Sequence, residues 1–555
     1  MKIVIVGAVA AGMSAATRLR RLDESAEIVV LEAGDHVSFA NCGLPYYVGG
    51  VIEERSKLLL QTPESLHARF NLDVRVRSRV TDVDADGRTV TVTTADGDEY
   101  LESYDHLILS PGARPIVPDV PGAERALVLR DVADVDRMAE AVEGARTAVV
   151  IGAGFVGLEV AENLSHRGLQ VTVVELAPQV LGAIDAELAI RVQERLERHG
   201  VRVVTGAQVS AIGEHDATIA APDGEQTVSA DLVVASIGVI PDSTLAAAAG
   251  AELGPRGAVL VDDDMRTSVP GVYAVGDAAA KRDAFAEGPT LIPLANLANR
   301  HGRRVADVIA GRPGRGRGSI GTAVVGVFGL TAAVTGRTER RLQAEGRAYR
   351  AIHSHPMDHA GYYPGAAQMA LKLLVDPATD EILGAQGVGE AGVEKRIDVI
   401  ATAITGGITA SELADLELAY APAYGSAKDP VNMLGYVAEN AATGETPTIQ
   451  WHELAAAGDE GPVVLDVRTG AEHARGTVVP PWGDAPVNIP VDDLRERHGE
   501  LPRDRRIVVH CQVGQRGHTA TRLLRQLGYD AVNLDGGWLT WRDGARTLAP
   551  APASA

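Results

Sequence analysis

The sequence predicts an α/β chain built from several sheet-and-helix units, and three observations carry that prediction. A strand–glycine turn–helix–strand unit opens the chain and recurs about 145 residues later, from Gly7 to Gly152. From residue 321 the pattern changes to alternating strands (GTAVVGVFGLTAAVTG, AQMALKLLVD) and helices (KRIDVIATAIT) with no glycine signature of its own. After about residue 450, two further apolar strands, PVVLDVR and RIVVHC, are separated by helical segments.

With 555 residues the chain exceeds one ordinary core, and its 46% hydrophobic and 23% charged composition is that of a folded globular protein. A formal net charge of −22 disfavours nucleic acid or an anionic membrane as partner, while local basic patches can still hold small anions. The opening MKIVIVG is too short for a secretory apolar region, and no run approaches the roughly 18–20 apolar residues that span a bilayer. A cytoplasmic protein is therefore expected. Only Cys42 and Cys511 are present, which excludes a disulfide framework and a four-cysteine zinc site.

The first glycine unit supplies Gly7 and Gly12 and ends its next strand on Glu32; the second supplies Gly152, Gly154 and Gly157 and ends on Glu175. In each, small residues let the turn approach a pyrophosphate, the helix N-terminus favours its charge, and the carboxylate accepts from ribose hydroxyls. Two such units predict two dinucleotides. Val9 replaces the middle glycine of the first turn, so that turn is expected to hold its phosphate differently. TSVPGVYAVGDAA closes on Asp277, placed to bond a flavin's ribityl chain, and the helix that follows begins at Leu294 and Ala295, expected to face the flavin pyrimidine. Val80 and Ser110 complete the expected FAD contacts. The stretches LILSPGARP and VVASIGVIPDS read as crossings between two nucleotide domains. The expected order is an FAD domain (1–115 and 241–320) interrupted by an NAD(P)H domain (116–240). An interface domain (321–440), a linker (441–449), a small α/β domain (450–546) and a disordered tail (547–555) follow. Leu176-Ala177-Pro178 after Glu175 offers no arginine to a 2′-phosphate, which favours NADH over NADPH.

Cys42 lies in SFANCGLPYYVGG, ten residues past Glu32 and before a predicted helix, where a thiolate is stabilised beside a flavin. No second cysteine stands nearby, so its sulfur partner must come from outside: a small thiol, a persulfide, or oxygen as a sulfenate. Together GAVAAG, SFANCG, AVGD, GYYPG, EKRIDV and AYAPAYGSAKDPVNMLGY resemble coenzyme A disulfide reductase over residues 1–438. That resemblance implies a glutathione-reductase-like flavoprotein with FAD and NAD(P)H, a homodimer, and a Cys42 that cycles through a mixed disulfide with coenzyme A. It also assigns Ser14, Arg18, Arg21, Ser38, Asn41, Asn299 and Lys428 to coenzyme A, with Asn299 where a histidine can occur and Phe70 where a lysine can. Tyr362 and Tyr420 match tyrosines brought to the partner subunit's flavin and cysteine, where a phenol can donate to a leaving thiolate. His353, His355 and His359 have metal-ligand spacing, but no cysteine or carboxylate cluster accompanies them and no metal is expected.

Cys511 lies in IVVHCQVGQRGHTATRLL, where a strand turns into a helix. The stretch resembles the rhodanese active loop, a cysteine inside a curl of backbone N–H groups that closes on Arg516. DVRTGAEHARG and LDGGW match other signatures of that domain, and Gly517 replaces the Ser or Thr usual after the arginine, which argues against thiosulfate as donor. The combined reading is NAD(P)H-driven, flavin-dependent reduction of coenzyme A persulfide or polysulfide, and of coenzyme A disulfide, at Cys42. Cys511 is expected to pass sulfane sulfur to or from that site. The alternatives are a plain coenzyme A disulfide reductase with a passenger rhodanese domain, an NADH oxidase or peroxidase-like enzyme, and a redox-sensing flavoprotein. Ala10-Ala11 stand where the oxidase and peroxidase group carries a histidine, which disfavours peroxide chemistry.

Overall fold

The computed structural model describes residues 1–548 except 223, 313, 315, 459, 460, 481 and 484, and these divide into two compact units. Met1–Pro178 with Gly200–Gly321 forms the first. Gln179–His199 with the chain from Thr322 onward forms the second.

The first unit is organised on two parallel sheets. One runs in the order Val272–Ala274, His106–Leu109, Lys2–Val6, Glu27–Leu31, Asp73–Arg75, every neighbouring pair parallel. Its strands read as unbroken apolar runs because both faces are covered. Ile3 and Ile5 pack with helices Ala10–Leu22 and Ala295–Ile309, whereas Val4 and Val6 pack with the antiparallel strands Ser78–Asp84 and Thr89–Thr94. The second parallel sheet orders Arg202–Thr205, Gln170–Glu175, Thr147–Ile151, Leu232–Ala235, with helix Phe155–His166 after the Thr147–Ile151 strand. In each sheet the strand that comes first in the chain, Lys2–Val6 or Thr147–Ile151, leads through a glycine turn into a helix.

The second unit combines an antiparallel five-stranded sheet with a parallel one. The first orders Ala323–Val327, Leu330–Gly336, Ile382–Gly389, Ala370–Val375, Arg350–Ser354, and buries Leu371, Leu373 and Ile382 against helices Val393–Gly406 and Pro430–Ala442. The second orders Thr448–Ile449, Ala531–Leu534, Ile507–His510, Val463–Asp466, Val487–Asn488.

Helix Ala186–Arg198, within the expected 116–240 domain, packs with the second unit, where Asp185 and Glu187 pair with Lys372. Helix Pro430–Ala442 reaches into the expected linker 441–449, and Thr448–Ile449 at its end pairs with the Ala531–Leu534 strand. Helix Gly537–Leu548 takes the first two residues of the expected tail, and 549–555 lie outside the described residues. Among the described residues no helix is long and apolar enough to cross a membrane.

Candidate functional site

The two glycine turns have the same construction. Gly7 and Gly152 take left-handed backbone, φ +95° and +97°. A Cβ on Gly12 would lie 1.9 Å from the Gly7 carbonyl oxygen, and one on Gly157 2.0 Å from that of Gly152, so each helix enters its turn at a distance only glycine permits. In both, the strand-end carboxylate reaches back to the turn: Glu32 accepts from the Ala8 N–H at 2.8 Å and Glu175 from the Ala153 N–H at 2.7 Å. Ser110 braces the first turn by donating to the carbonyls of Val6 and Gly7 at 2.9 and 2.8 Å. Val9 caps its helix at φ −111° and ψ −131°, where Gly154 caps the other at φ −79° and ψ −171°. Backbone N–H groups of two helix N-termini, each with a carboxylate for a ribose, suit two dinucleotides such as FAD and NAD(P)H.

The remaining flavin-site candidates lie in the same unit. Val80 is buried in strand Ser78–Asp84, and Asp277 occupies the turn Gly276–Ala278 after strand Val272–Ala274. Leu294 and Ala295 begin helix Ala295–Ile309. Burial raises the Asp277 carboxyl, with Arg130 and Lys281 acting the other way, and lowers buried Lys281 to about 8 against the pull of Asp277. Neither lysine nor arginine was singled out in the sequence.

Cys42 sits in the turn Asn41–Gly43, which leads into helix Leu44–Val48. That helix docks on the helix of the second nucleotide turn. The Tyr46 hydroxyl donates to Glu159 at 3.0 Å, Arg167 donates to the Val48 carbonyl at 3.1 Å, and Gly49 leaves room for Asn163, whose Oδ1 would be 1.9 Å from an added Cβ. The docking sets the electrostatics of the thiol. Partial burial, then the charges of Glu159 and Asp277, push Cys42 up, against the expected thiolate-stabilising helix terminus. The five-residue helix is too short for its dipole to prevail. Sequence reading missed Glu159; its signal is an acid in the otherwise apolar helical stretch VGLEVA.

Of the coenzyme A candidates, Ser14 and Asn299 meet, hydroxyl to amide oxygen, at 2.5 Å. Arg18 is already committed to Asp307 at 2.7 Å, while Arg21 is exposed and lies over the Phe70 ring, 6.0 Å from its centroid. Phe70 thus cradles a cation where the resemblance allows one. Ser38 adopts φ +47° with its N–H on the Ala8 carbonyl, three residues from Asn41 in the cysteine turn. In the second unit, Lys428 lies 6.0 Å from the Tyr436 ring centroid, and the hydroxyls of Tyr362 and Tyr420 stand 3.0 Å apart. Tyr362 is 77% exposed. Its phenol is pushed up first by the bond to Tyr420.

Cys511 follows strand Ile507–His510 and is 1% exposed. Gly514, at φ +92°, turns the chain into helix Gln515–Gln526, and the Trp538 and Leu539 N–H groups donate to the carbonyls of Cys511 and Gln512 at 2.8 and 3.1 Å. Arg516 makes a two-pronged pair with Glu472, 2.8 and 2.6 Å, which holds the Glu472 carboxyl down to about 2. Gly517 has a packing reason: a Cβ there would fall 2.2 Å from Asn533 Oδ1. Beneath the loop, buried Asp466 accepts from Arg468, His473 and Thr477, and burial lowers His510 to about 4 against Asp466. His353 and His355 are buried in polar contacts described below, and His359 bonds Asp358 at 2.8 Å.

Comparison with known proteins places this geometry. The pyridine nucleotide-disulphide oxidoreductase family model matches residues 1–302, the dimerisation domain of that family matches 322–430, and a rhodanese-like domain matches 450–543. A coenzyme A disulfide reductase of Staphylococcus aureus is 34% identical over 444 residues, 79% of this chain and 100% of the relative. Among solved structures, reduced CoADR-RHD of Bacillus anthracis is 45% identical with a TM-score of 0.95, covering 98% of both chains. An NAD-dependent persulfide reductase from A. fulgidus is 38% identical with a TM-score of 0.89, over 98% of this chain and 100% of that one.

Proposed function

The chain belongs to the pyridine nucleotide-disulphide oxidoreductases and carries a rhodanese-like domain, and from that premise we propose that it reduces coenzyme A persulfide or polysulfide, and coenzyme A disulfide, through Cys42. The observation that carries the reading is a lone exposed thiol, docked through Tyr46 and Glu159 onto the helix of the second nucleotide turn, with no partner cysteine in the chain beyond buried Cys511. Bound FAD supplies the means of passing two electrons from NADH to sulfur. Glu175, without a following arginine, favours NADH.

The Cys42 thiolate attacks the sulfane sulfur of the persulfide and coenzyme A leaves as its thiol; two electrons then release that sulfur as sulfide and restore the thiolate. With the disulfide, the same attack leaves a Cys42–coenzyme A mixed disulfide whose reduction frees the second thiol. Ser14, Arg18, Arg21, Ser38, Asn41 and Asn299 are the proposed coenzyme A contacts, the two arginines suiting its phosphates, and Lys428 matches a further substrate position. Tyr362 and Tyr420, in the domain matched to dimerisation, protonate leaving thiolates across a homodimer. Cys511, cradled by backbone N–H groups and Arg516, passes sulfane sulfur from donors to the reductive centre, and tethering raises its effective concentration. Two free cysteines suit a reducing, cytoplasmic setting.

The experiment compares wild type, Cys42→Ser and Cys511→Ser on coenzyme A disulfide, coenzyme A persulfide, polysulfide and thiosulfate under anaerobic conditions. Cys42→Ser is expected to lose NADH-driven turnover by about 10³-fold or more on every substrate. Cys511→Ser is expected to keep disulfide reduction and lose the sulfur-transfer gain with polysulfide. Equal turnover of polysulfide by Cys511→Ser would make the rhodanese domain a passenger.

A further inference from the structure

Behind the Cys511 loop lies a buried chain of charges that neither thiol touches. His353, in strand Arg350–Ser354, is 4% exposed, and each ring nitrogen faces a carboxylate. Nδ1 is 2.7 Å from Asp535 Oδ2, which also accepts the His353 backbone N–H at 2.9 Å, and Nε2 is 3.0 Å from Glu187 Oε1. Glu187, on helix Ala186–Arg198, is paired in turn with Lys372 Nζ of strand Ala370–Val375 at 2.5 Å. Lys372 is fully buried and reaches Asp185 at 2.9 Å and Glu339 at 3.3 Å. Gln450 donates to Asp535 at 3.2 Å and to the Ala351 carbonyl at 2.9 Å.

Asp535 opens the segment that backs the active loop. Gly536 and Gly537 follow at φ +66° and +61°. A Cβ on Gly536 would lie 2.8 Å from His353 Cβ, and one on Gly537 2.6 Å from the Cys511 carbonyl oxygen and 2.8 Å from the Gly514 nitrogen. Trp538, next in the chain, donates its N–H to Cys511. The path from the imidazole to the thiol loop therefore has no slack along it. We propose that His353 is a positioning residue for the sulfur-transfer centre at Cys511, acting through Asp535 and the Gly536–Gly537 turn. The active loop is then held by residues outside the domain that carries it. This rests on the reading of Cys511 as a sulfur carrier.

Two acceptors require both ring nitrogens to donate, which only the imidazolium does. Burial alone would lower His353, but Asp535 and Glu187 push it up to about 9. Lys372 opposes it, while Arg191 of helix Ala186–Arg198 and Arg542 of the last helix act on His355, and Asp543 pairs with both arginines. His355, two residues on, is kept neutral by burial and bonds Thr540 at 2.7 Å. Because folding raises the His353 pKa from 6.5, its hold on the loop is complete below about 6.5 and is lost as pH rises through about 9.

The test uses the full-length holoenzyme, with glutathione persulfide as sulfur donor and cyanide as acceptor. Sulfur passes from the persulfide to the Cys511 thiolate, releasing glutathione, and leaves as thiocyanate with no net change of electrons. His353→Gln is expected to lower kcat for this transfer about tenfold with KM unchanged, and to abolish the loss of activity near pH 9. NADH-driven reduction of coenzyme A disulfide at Cys42 should stay within about twofold of wild type, showing that the chain is folded. Adding Asp535→Asn, which replaces the charged pair by two amides, should restore part of the lost kcat. Gln450→Leu removes a neutral donor from Asp535 and leaves no buried charge alone; a fall in transfer kcat of about threefold is expected, and it serves if His353→Gln does not fold. Wild-type transfer no faster than Cys511→Ser would overturn the sulfur-carrier reading and this inference with it. Wild-type transfer matched by folded His353→Gln, or by Gln450→Leu in its place, would overturn the positioning role alone.

Discussion

Cys42 and Glu159 place opposing demands on the reductive centre, because a carboxylate that anchors the cysteine helix through Tyr46 also resists formation of the thiolate. Glu159→Gln keeps an acceptor for the Tyr46 hydroxyl and removes the charge. The pH midpoint of Cys42 alkylation by iodoacetamide, measured in a Cys511→Ser background, should fall. An unmoved midpoint would show that the Glu159 charge has no part in setting it. Arg516 presents the corresponding question at the second thiol. Its charge is answered by Glu472, so a dianionic donor gains little from it. Glu472→Gln should lower KM for thiosulfate in Cys511-dependent transfer by roughly three- to tenfold, read as thiocyanate formation. Gly7, Gly12, Glu32 and their counterparts were legible in the sequence because their roles are local: turn, helix start and strand end lie within a few tens of residues. Glu159 was not, since its link to Cys42 exists only after two helices separated by more than a hundred residues dock.

At the scale of elements, the Cys511 loop shows how a departure from a familiar pattern can have a packing cause. Gly517 was read as a sign against thiosulfate, yet its neighbour Asn533, which also donates to the Gly514 carbonyl at 3.2 Å, already fills the space a side chain would need. Gly517→Ser should therefore destabilise the domain and slow transfer, and Gly517→Ser with Asn533→Ala should recover stability, as followed by thermal unfolding of the holoenzyme. Recovery in the pair distinguishes a steric conflict from a lost chemical role. Helix Ala186–Arg198 was assigned to the nucleotide domain by its place in the sequence. Asp185 and Glu187 at its start are instead claimed by Lys372, a residue nearly two hundred positions away whose burial nothing in LKLLV announces. Periodicity reports which face of an element is apolar, and it is silent about which buried lysine waits there.

For the whole molecule, the two parallel-sheet nucleotide units, the antiparallel domain and the rhodanese-like domain follow from patterns that span contiguous residues, which is why the order of domains could be read before any coordinates. The proposed coenzyme A contacts are less legible: Arg18, which matches the resemblance, pairs with Asp307, while Phe70, a mismatch, supports Arg21. The proposed turnover depends on one exposed thiol taking its oxidising partner from solution. The most direct measurement is the intact mass of Cys511→Ser holoenzyme exposed anaerobically to coenzyme A disulfide and then to NADH. One coenzyme A adduct per chain, at Cys42 and released by NADH, is the predicted result. No adduct, or an adduct that NADH leaves in place, would contradict it.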